Sequence, residues 1–173
     1  LCHTILQNPK LILELGINEG GQSTIAFKNS LSLCNARLIG VDMYQGSAKN
    51  YVGISSGLFL CMNDLNFGNY YHNSEFRNEK FDIIFIDTSH EYQHTMQELT
   101  LFVPFLNDHG FIAFHDSNVT PLKNGTEYVR LNGTIGHAAG NTRGVTQALK
   151  EFFSLSFDEH QYYNATFTKN GTG

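Results

Sequence analysis

FDIIFIDTSHEYQHTMQELTLFVPFLNDHGFIAFHDS, residues 81–117, is the stretch of this chain that most strongly indicates its fold. It contains two short apolar runs, Ile83–Ile86 and Phe111–Phe114, separated by a helix-length segment and a glycine turn. Apolar runs of this length, rich in Ile and Phe and joined by a helical crossover, are typical of neighbouring parallel strands buried on both faces. The stretch therefore predicts part of an α/β sheet.

Each of these apolar runs stops at a cluster of acidic and imidazole side chains. The first run is followed by Asp87 and His90, and the second by His115 and Asp116. In open α/β sheets, ligands bind and chemistry occurs at the carboxyl ends of the parallel strands. The two clusters therefore predict a functional site at one edge of the sheet.

The rest of the chain continues the alternation of strands and helices. Strands are predicted at 10–15, 37–42, 81–87 and 110–115, with one or two more within 157–167, and helices at 23–33, 91–106 and 144–153. The Asn-, Gly- and Ser-rich segment 43–80 is predicted to hold a helix near 56–62 and a short strand near 70–72. This order predicts a Rossmann-like, doubly wound, mainly parallel sheet with helices on both faces, in a single domain over residues 1–173.

Composition favours one ordered domain and gives no basic surface for nucleic acid. The chain has 173 residues, 41% of them hydrophobic, and a formal net charge of −5. Three widely spaced cysteines without metal-ligand spacing indicate reduced thiols, and no membrane span or signal peptide is visible, so we expect a cytoplasmic protein. The first predicted strand follows the first residue closely, so we expect an N-terminal segment of the natural protein to be missing. The sequence leaves open whether the chain forms a homo-oligomer.

A glycine-rich turn, ELGINEGGQST (14–24), joins the first predicted strand to the first helix. Glycine permits a tight turn close to a ligand, and a helix N-terminus capped by Ser23 or Thr24 would present free N–H groups to it. Asp42 ends the second strand, where an acid can accept hydrogen bonds from both hydroxyls of a ribose. Glu14 disfavours a pyrophosphate and suits a cationic ligand carrying an ammonium and a sulfonium. The alternative is a tight turn that binds no ligand.

The ordered motifs ELGxxxGxST, VD, FDIIFIDxxHxY, GFIAFHDS and GVxxAL resemble class I S-adenosylmethionine-dependent methyltransferases. They are most similar to the small-molecule and sugar O-methyltransferase branch, with relatives in cephalosporin-pathway and macrolide-sugar enzymes. The resemblance covers roughly residues 11–153. It implies that Glu14 lies near the methionine part of the cofactor and that Asp42 binds its ribose. The candidate cofactor-binding residues are Glu14, Gly16, Gly20, Ser23, Asp42 and Asp87.

The acid and imidazole clusters would then form the acceptor side of the reaction, for a small molecule or a sugar. Methyl transfer to oxygen requires that the protein position the acceptor hydroxyl and remove its proton. His90 is the predicted general base, because an imidazole titrates near neutral pH. Asp87, His115 and Asp116 are candidate ligands for Mg²⁺, which would lower the pKa of a bound hydroxyl. The resembling branch commonly carries two acids in its second cluster, whereas this chain has His115 before Asp116.

Each of these residues also has a structural alternative. Asp87 is a candidate N-cap for the helix that follows, and His90 a surface residue of its first turn. His94, one turn after His90, would share its helix face, and we expect it to support the site or face solvent. For the whole site the alternatives are a metal-dependent hydrolase built on the same clusters and a non-catalytic nucleoside-binding domain. The loop at 117–141 is a candidate lid over the acceptor.

Overall fold

The structure is a computed structural model that describes residues 8–18, 21–115, 127–129, 135–137, 144–154 and 167–168. The strands are β1 Leu11–Leu15, β2 Arg37–Asp42, β3 Gly57–Cys61, β4 Phe81–Ile86, β5 Leu106–Phe114, β6 Glu127–Val129, β7 Ile135–His137 and β8 Phe167–Thr168. The helices are α1 Gln22–Leu31, α2 Asp64–Asn73, α3 Tyr92–Phe102 and α4 Val145–Phe152. Short 3-10 segments occupy Gln45–Tyr51, Glu75–Asn78 and Val103–Phe105.

Six strands form one sheet in the order β3-β2-β1-β4-β5-β8. The pairs from β3 to β5 are parallel, and β8 pairs antiparallel with β5 at the edge. The chain builds outward from β1 through β2 to β3, and then crosses back to β4 on the other side of β1. This reversal is the switch point at which open α/β sheets bind ligands. The prediction of a doubly wound, mainly parallel sheet is confirmed.

The sheet separates two hydrophobic cores. Side chains alternate between the faces along a strand, so Leu13 of β1 packs in one core and Ile12 in the other. The first core contains Leu99 of α3 together with apolar side chains of α2 and α4, and the second contains Phe27 of α1. Helices therefore cover both faces, as predicted. The apolar runs of β1 and β4 are explained by this burial on two sides.

Segment 43–80 departs from the prediction in both of its elements. The predicted helix at 56–62 is the edge strand β3, and the predicted strand at 70–72 lies inside α2. Asn63 begins that helix by accepting the N–H of Asn66 at 3.1 Å, and Phe67 and Tyr71, four residues apart, bury its inner face. The prediction was wrong because Gly, Asn and Ser dilute the apolar periodicity of this segment. Pairing with β2 and packing against α3 decide it instead.

The later elements agree with the prediction where the structure describes them. β5 begins at Leu106 instead of residue 110, with a register shift against β4 between Phe81 and Ile83. β8 overlaps the segment of the predicted late strands only at Phe167, and residues 157–166 lie outside the described part of the chain. The candidate lid, residues 117–141, contains a hairpin of β6 and β7. The remainder of that loop also lies outside the described part of the chain. None of the helices that the structure describes combines the length and the apolar composition needed to cross a membrane.

Candidate active site

A cavity of about 330 Å³ opens at the carboxyl ends of β1, β2 and β4, where the strand order reverses. Its wall is formed by Gly16, Asn18, Val41, Asp42, Met43, Tyr44, Met62, Asn63, Asp64, Asp87, Thr88, Ser89 and His94. A cavity of this volume with mixed apolar and polar walls is typical of a small-molecule site. The predicted site residues Gly16, Asp42 and Asp87 therefore meet on one cavity wall.

The turn after β1 requires glycine at its first position. Gly16 has a φ of +77°, and its N–H donates to the carbonyl oxygen of Val41 at 3.0 Å. A β-carbon at this position would lie 2.0 Å from the carbonyl oxygen of Asp87. The absence of a side chain thus lets β1 and the end of β4 approach each other beside the cavity. Gly20, the other predicted glycine, lies outside the described residues.

Helix α1 is not capped as the sequence predicts. Its N-cap is Gly21, with a φ of +51° and without a side-chain hydrogen bond. Ser23 and Thr24 are turned to Glu14, and both hydroxyls form hydrogen bonds to its carboxylate. The capping prediction was wrong because a buried carboxylate without hydrogen-bond donors costs more free energy than an uncapped helix end. The hydroxyls of Ser23 and Thr24 therefore bond to Glu14 and leave the helix end uncapped.

Glu14 is fully buried behind the turn and does not contribute to the cavity wall. Thr24 donates to its carboxylate at 2.9 Å and Tyr51 at 2.7 Å. Burial raises the pKa of Glu14, and the hydrogen bonds from these hydroxyls partly oppose that rise. The carboxylate therefore fastens α1 and the 3-10 segment Gln45–Tyr51 to β1. Tyr51, which supplies one of these bonds, was missed in the sequence because nothing local marks it.

Asp42 lies at the carboxyl end of β2, as predicted, and its carboxylate organises the turn next to the cavity. Oδ2 accepts the N–H groups of Ile17 at 2.8 Å and Asn18 at 2.7 Å, and the hydroxyl of Ser47 at 3.0 Å. Oδ1 accepts the N–H of Tyr44 at 2.7 Å. Although burial raises the pKa of Asp42, these donors together hold it below its ordinary value. Asp42 is therefore an anion at neutral pH, with acceptor capacity left on Oδ1.

The structure brings Asp87, His90 and His115 together at the ends of β4 and β5. His90 Nε2 lies 3.0 Å and His115 Nδ1 3.2 Å from the same oxygen of Asp87, Oδ1. His90 has a φ of +60°, and its carbonyl oxygen accepts the N–H of Gly144 at 3.1 Å, just before α4. The alternative in which Asp87 caps the following helix is wrong, since the N-cap is Glu91. Asp116 lies outside the described residues.

These three side chains offer donor atoms close enough together to bind a metal ion. The set contains one carboxylate and two imidazoles. Mg²⁺ prefers oxygen ligands, whereas Zn²⁺, Mn²⁺ and Fe²⁺ accept imidazole. The described donors therefore do not fit the predicted Mg²⁺.

His94 does not share a helix face with His90, contrary to the prediction. The helix begins only at Tyr92, so His90 stays at the strand end while His94 turns to a second cluster. His94 Nε2 lies 2.7 Å from Asp64 Oδ2 and 3.7 Å from Glu98 Oε1. The hydrogen bond to Asp64 raises the pKa of His94, and burial raises the pKa of Glu98 to about 8. Glu98, four residues after His94, could have been found from that spacing, but Asp64 could not.

The fold and the site define a Rossmann-like domain whose cavity, at the switch point of the sheet, suits a nucleoside cofactor. Residues 13–117, well over half of the chain, match a family model described as a methyltransferase domain. The chain belongs to this family, as its motifs predicted. No curated protein matches the chain.

Solved structures of methyltransferases share the fold. The O-methyltransferase TomG from Streptomyces achromogenes, involved in tomaymycin synthesis and solved with SAM, aligns with a TM-score of 0.60 at 14% identity, over 90% of this chain and 66% of its own. An O-methyltransferase from Bacillus cereus in complex with SAH aligns with a TM-score of 0.59 at 18% identity, over 88% and 64%. The SAH-bound methyltransferase PaMTH1 of Podospora anserina aligns with a TM-score of 0.54 at 19% identity, over 68% and 50%. This chain thus spans half to two thirds of the length of these proteins.

Proposed function

We propose that this protein transfers a methyl group from S-adenosylmethionine to a hydroxyl group of a small molecule or a sugar. The observation that carries the proposal is the position of Asp87. Its side chain lies in the cavity wall, and its carboxylate contacts the imidazoles of His90 and His115. One carboxylate thus joins a cofactor-sized cavity to a pair of candidate bases. Solved methyltransferases of this fold hold SAM or SAH, which supports the cofactor.

The cavity side of the site would bind the cofactor. Asp42 Oδ1 can accept a second hydrogen bond beside that of Tyr44, and we assign it to the ribose hydroxyls. Gly16 lets the backbone of the turn approach the ligand, since it has no β-carbon. Met43 and Met62 provide apolar parts of the cavity wall, and we place the adenine ring against them. When bound, the cofactor supplies an electrophilic methyl group on its sulfonium.

The acceptor side would remove a proton. Asp87 holds Nε2 of His90, so the ring keeps one orientation and a proton that the base gains is stabilised by the carboxylate. We propose that His90 takes the proton of the acceptor hydroxyl as the oxygen attacks the methyl group. His115 contacts the same carboxylate and is the alternative base.

Whether methyl transfer needs a metal ion is a separate question from the identity of the base. The sequence predicts Mg²⁺ held by Asp87, His115 and Asp116. Of these, the structure describes Asp87 and His115, and the imidazole of His115 is a ligand that Mg²⁺ does not favour. Because the proposed mechanism assigns deprotonation of the acceptor to His90 and needs no metal ion, we expect methyl transfer to persist in EDTA. A metal-dependent hydrolase built on the same cluster would lose its activity under that condition, and would have no need for Asp42.

Calorimetric titration with S-adenosylhomocysteine tests the cofactor half. We expect binding by the natural protein and a roughly 10- to 100-fold weaker affinity in Asp42→Asn, because charge-assisted hydrogen bonds to the ribose are lost. Ser47→Ala is the control, since it removes one hydrogen bond to Asp42 and keeps the carboxylate. Absence of binding by the natural protein would contradict the proposal.

Release of S-adenosylhomocysteine from S-adenosylmethionine, measured over a panel of phenols, catechols and sugars, tests the catalytic half. His90→Ala is expected to keep the affinity for S-adenosylhomocysteine and to lower turnover by about 10²- to 10⁴-fold, the usual contribution of a general base. His109→Ala, at an exposed position of β5, is the matched control. Undiminished turnover in His90→Ala would exclude His90 as the base.

A further inference from the structure

A second cluster of acid and imidazole groups lies beside the same cavity. Asp64 begins α2, and His94 and Glu98 lie on successive turns of α3. Their side chains are 9%, 20% and 1% exposed, respectively. Asp87, His90 and His115 form a different cluster, and the proposed methyl transfer assigns no role to Asp64, His94 or Glu98, although Asp64 and His94 line the same cavity.

With both of its carboxyl groups ionised, this second cluster would hold more negative than positive charge, and burial accordingly raises the pKa of Glu98 to about 8. Among the described residues, the ion pairs of Asp64 and Glu98 are both with His94, which carries at most one positive charge for two carboxylates. Glu98 Oε2 is buried and has no hydrogen-bond partner in the described part of the chain. A buried carboxylate oxygen in this state is costly unless a cation or a proton satisfies it.

The three side chains bring donor atoms close enough together to bind one metal ion. Ligands at about 2.0–2.2 Å from a tetrahedral ion lie roughly 3.4 Å from one another. His94 Nε2 is 3.7 Å from Glu98 Oε1, close to that spacing, and 2.7 Å from Asp64 Oδ2, a hydrogen-bond distance that would lengthen on metal binding. One donor atom from each of the three side chains lies within 4.8 Å of the others. Thr88 donates to Glu98 Oε1 at 2.6 Å, as an outer hydrogen bond that would orient a ligand carboxylate.

We propose that Asp64, His94 and Glu98 form a binding site for a divalent transition-metal ion of the Zn²⁺ class, separate from the Asp87 cluster. One imidazole and two carboxylates are ligands that Zn²⁺ accepts, and three protein ligands leave one coordination position open. Asp64 and His94 line the cavity, which gives an ion access to the cluster. The site does not depend on the proposed methyl transfer.

Equilibrium dialysis against micromolar Zn²⁺ after treatment with EDTA, followed by elemental analysis, measures the site directly. A Cys2→Ser/Cys61→Ser background removes two of the three thiols as competing ligands, and the third, Cys34, is buried. We expect Glu98→Gln and His94→Ala each to lose one equivalent of Zn²⁺. The loss of affinity should exceed the roughly 10- to 100-fold that removal of an outer partner causes, since a ligand atom itself is removed.

His115→Ala and His109→Ala separate this site from the rest of the protein. His115→Ala is expected to retain the equivalent that Glu98→Gln loses, and His109→Ala to bind as the background does. Urea unfolding in EDTA checks that each variant is folded. Zn²⁺ uptake that is equal in Glu98→Gln, His94→Ala and the background, or that is lost only in His115→Ala, would overturn the proposal. In that case a proton shared between the carboxyl groups of Asp64 and Glu98, and not a metal ion, would neutralise the cluster.

Discussion

At the scale of single residues, two carboxylates at the ends of neighbouring strands behave in opposite ways. Glu14 is fully buried and held by side-chain hydroxyls, and burial raises its pKa above the ordinary 4.5. Asp42 is only partly buried, and backbone N–H groups hold its pKa below the ordinary 3.8 despite that burial. The first residue therefore fastens the fold, whereas the second keeps a negative charge beside the cavity.

Urea unfolding between pH 3 and pH 8 should separate these two roles. A raised pKa in the folded state contributes stability that is fully present below about pH 4.5 and is lost as the pH rises through the folded pKa. The difference in free energy of unfolding between the natural protein and Glu14→Gln is therefore expected to fall as the pH rises.

Asp42→Asn should give the opposite sign. Its lowered pKa contributes stability that is present above about pH 3.8 and is lost as the pH falls through the folded pKa. Parallel pH profiles for the natural protein and either variant would contradict the assignment for that residue.

At the scale of elements, the turn from β1 to α1 and the end of β4 form one unit. Gly16 donates its N–H to β2 while its α-carbon faces the backbone of Asp87, so three strands converge at this glycine. The sequence predicted Gly16 and the carboxylates of Asp42 and Asp87, because each follows the local pattern of a strand that ends in a turn. It predicted the wrong cap for α1 and the wrong elements in segment 43–80, because Glu14 and β2 act on these from a distance.

Gly16→Ala and Gly53→Ala form a matched pair for this unit. Both glycines have a positive φ, +77° and +79°, so both substitutions incur the penalty of a left-handed backbone, about 1–2 kcal/mol. A β-carbon at Gly16 would also collide with the Asp87 carbonyl at 2.0 Å, whereas at Gly53 the nearest atom is Lys28 Nζ at 3.6 Å. We expect Gly16→Ala to lose clearly more stability and to bind S-adenosylhomocysteine more weakly, with Gly53→Ala unchanged in binding. Equal effects of the two substitutions on urea unfolding and calorimetry would exclude the proposed contact.

At the scale of the whole molecule, the sheet is a shared wall between two cores. Ile12 and Leu13 are adjacent in β1 and are both fully buried, on opposite faces. The cavity lies between β1 and β4, where the strand order reverses, and strands from both halves of the sheet form its wall. This arrangement predicts that neither core unfolds without the other.

Leu99→Ala and Ile12→Ala test this coupling from opposite faces. Each removes a fully buried aliphatic side chain, and each is expected to lower the free energy of unfolding by about 2–5 kcal/mol. Unfolding followed by circular dichroism and by tyrosine fluorescence should remain a single coincident transition in both variants. Two separate transitions in either variant would contradict a common folding unit.

The sequence by itself determined the class of fold, the positions of β1, β2, β4 and β5 along the chain, and the placement of Asp42, Asp87 and His90 at or just after strand ends. Those features are local, since an apolar run followed by a polar residue marks a buried strand and its end. The tertiary structure alone decided that Glu14 is enclosed by hydroxyls and that His94 meets Asp64. Both outcomes depend on side chains that meet across elements distant in the chain, and no spacing in the sequence records such contacts.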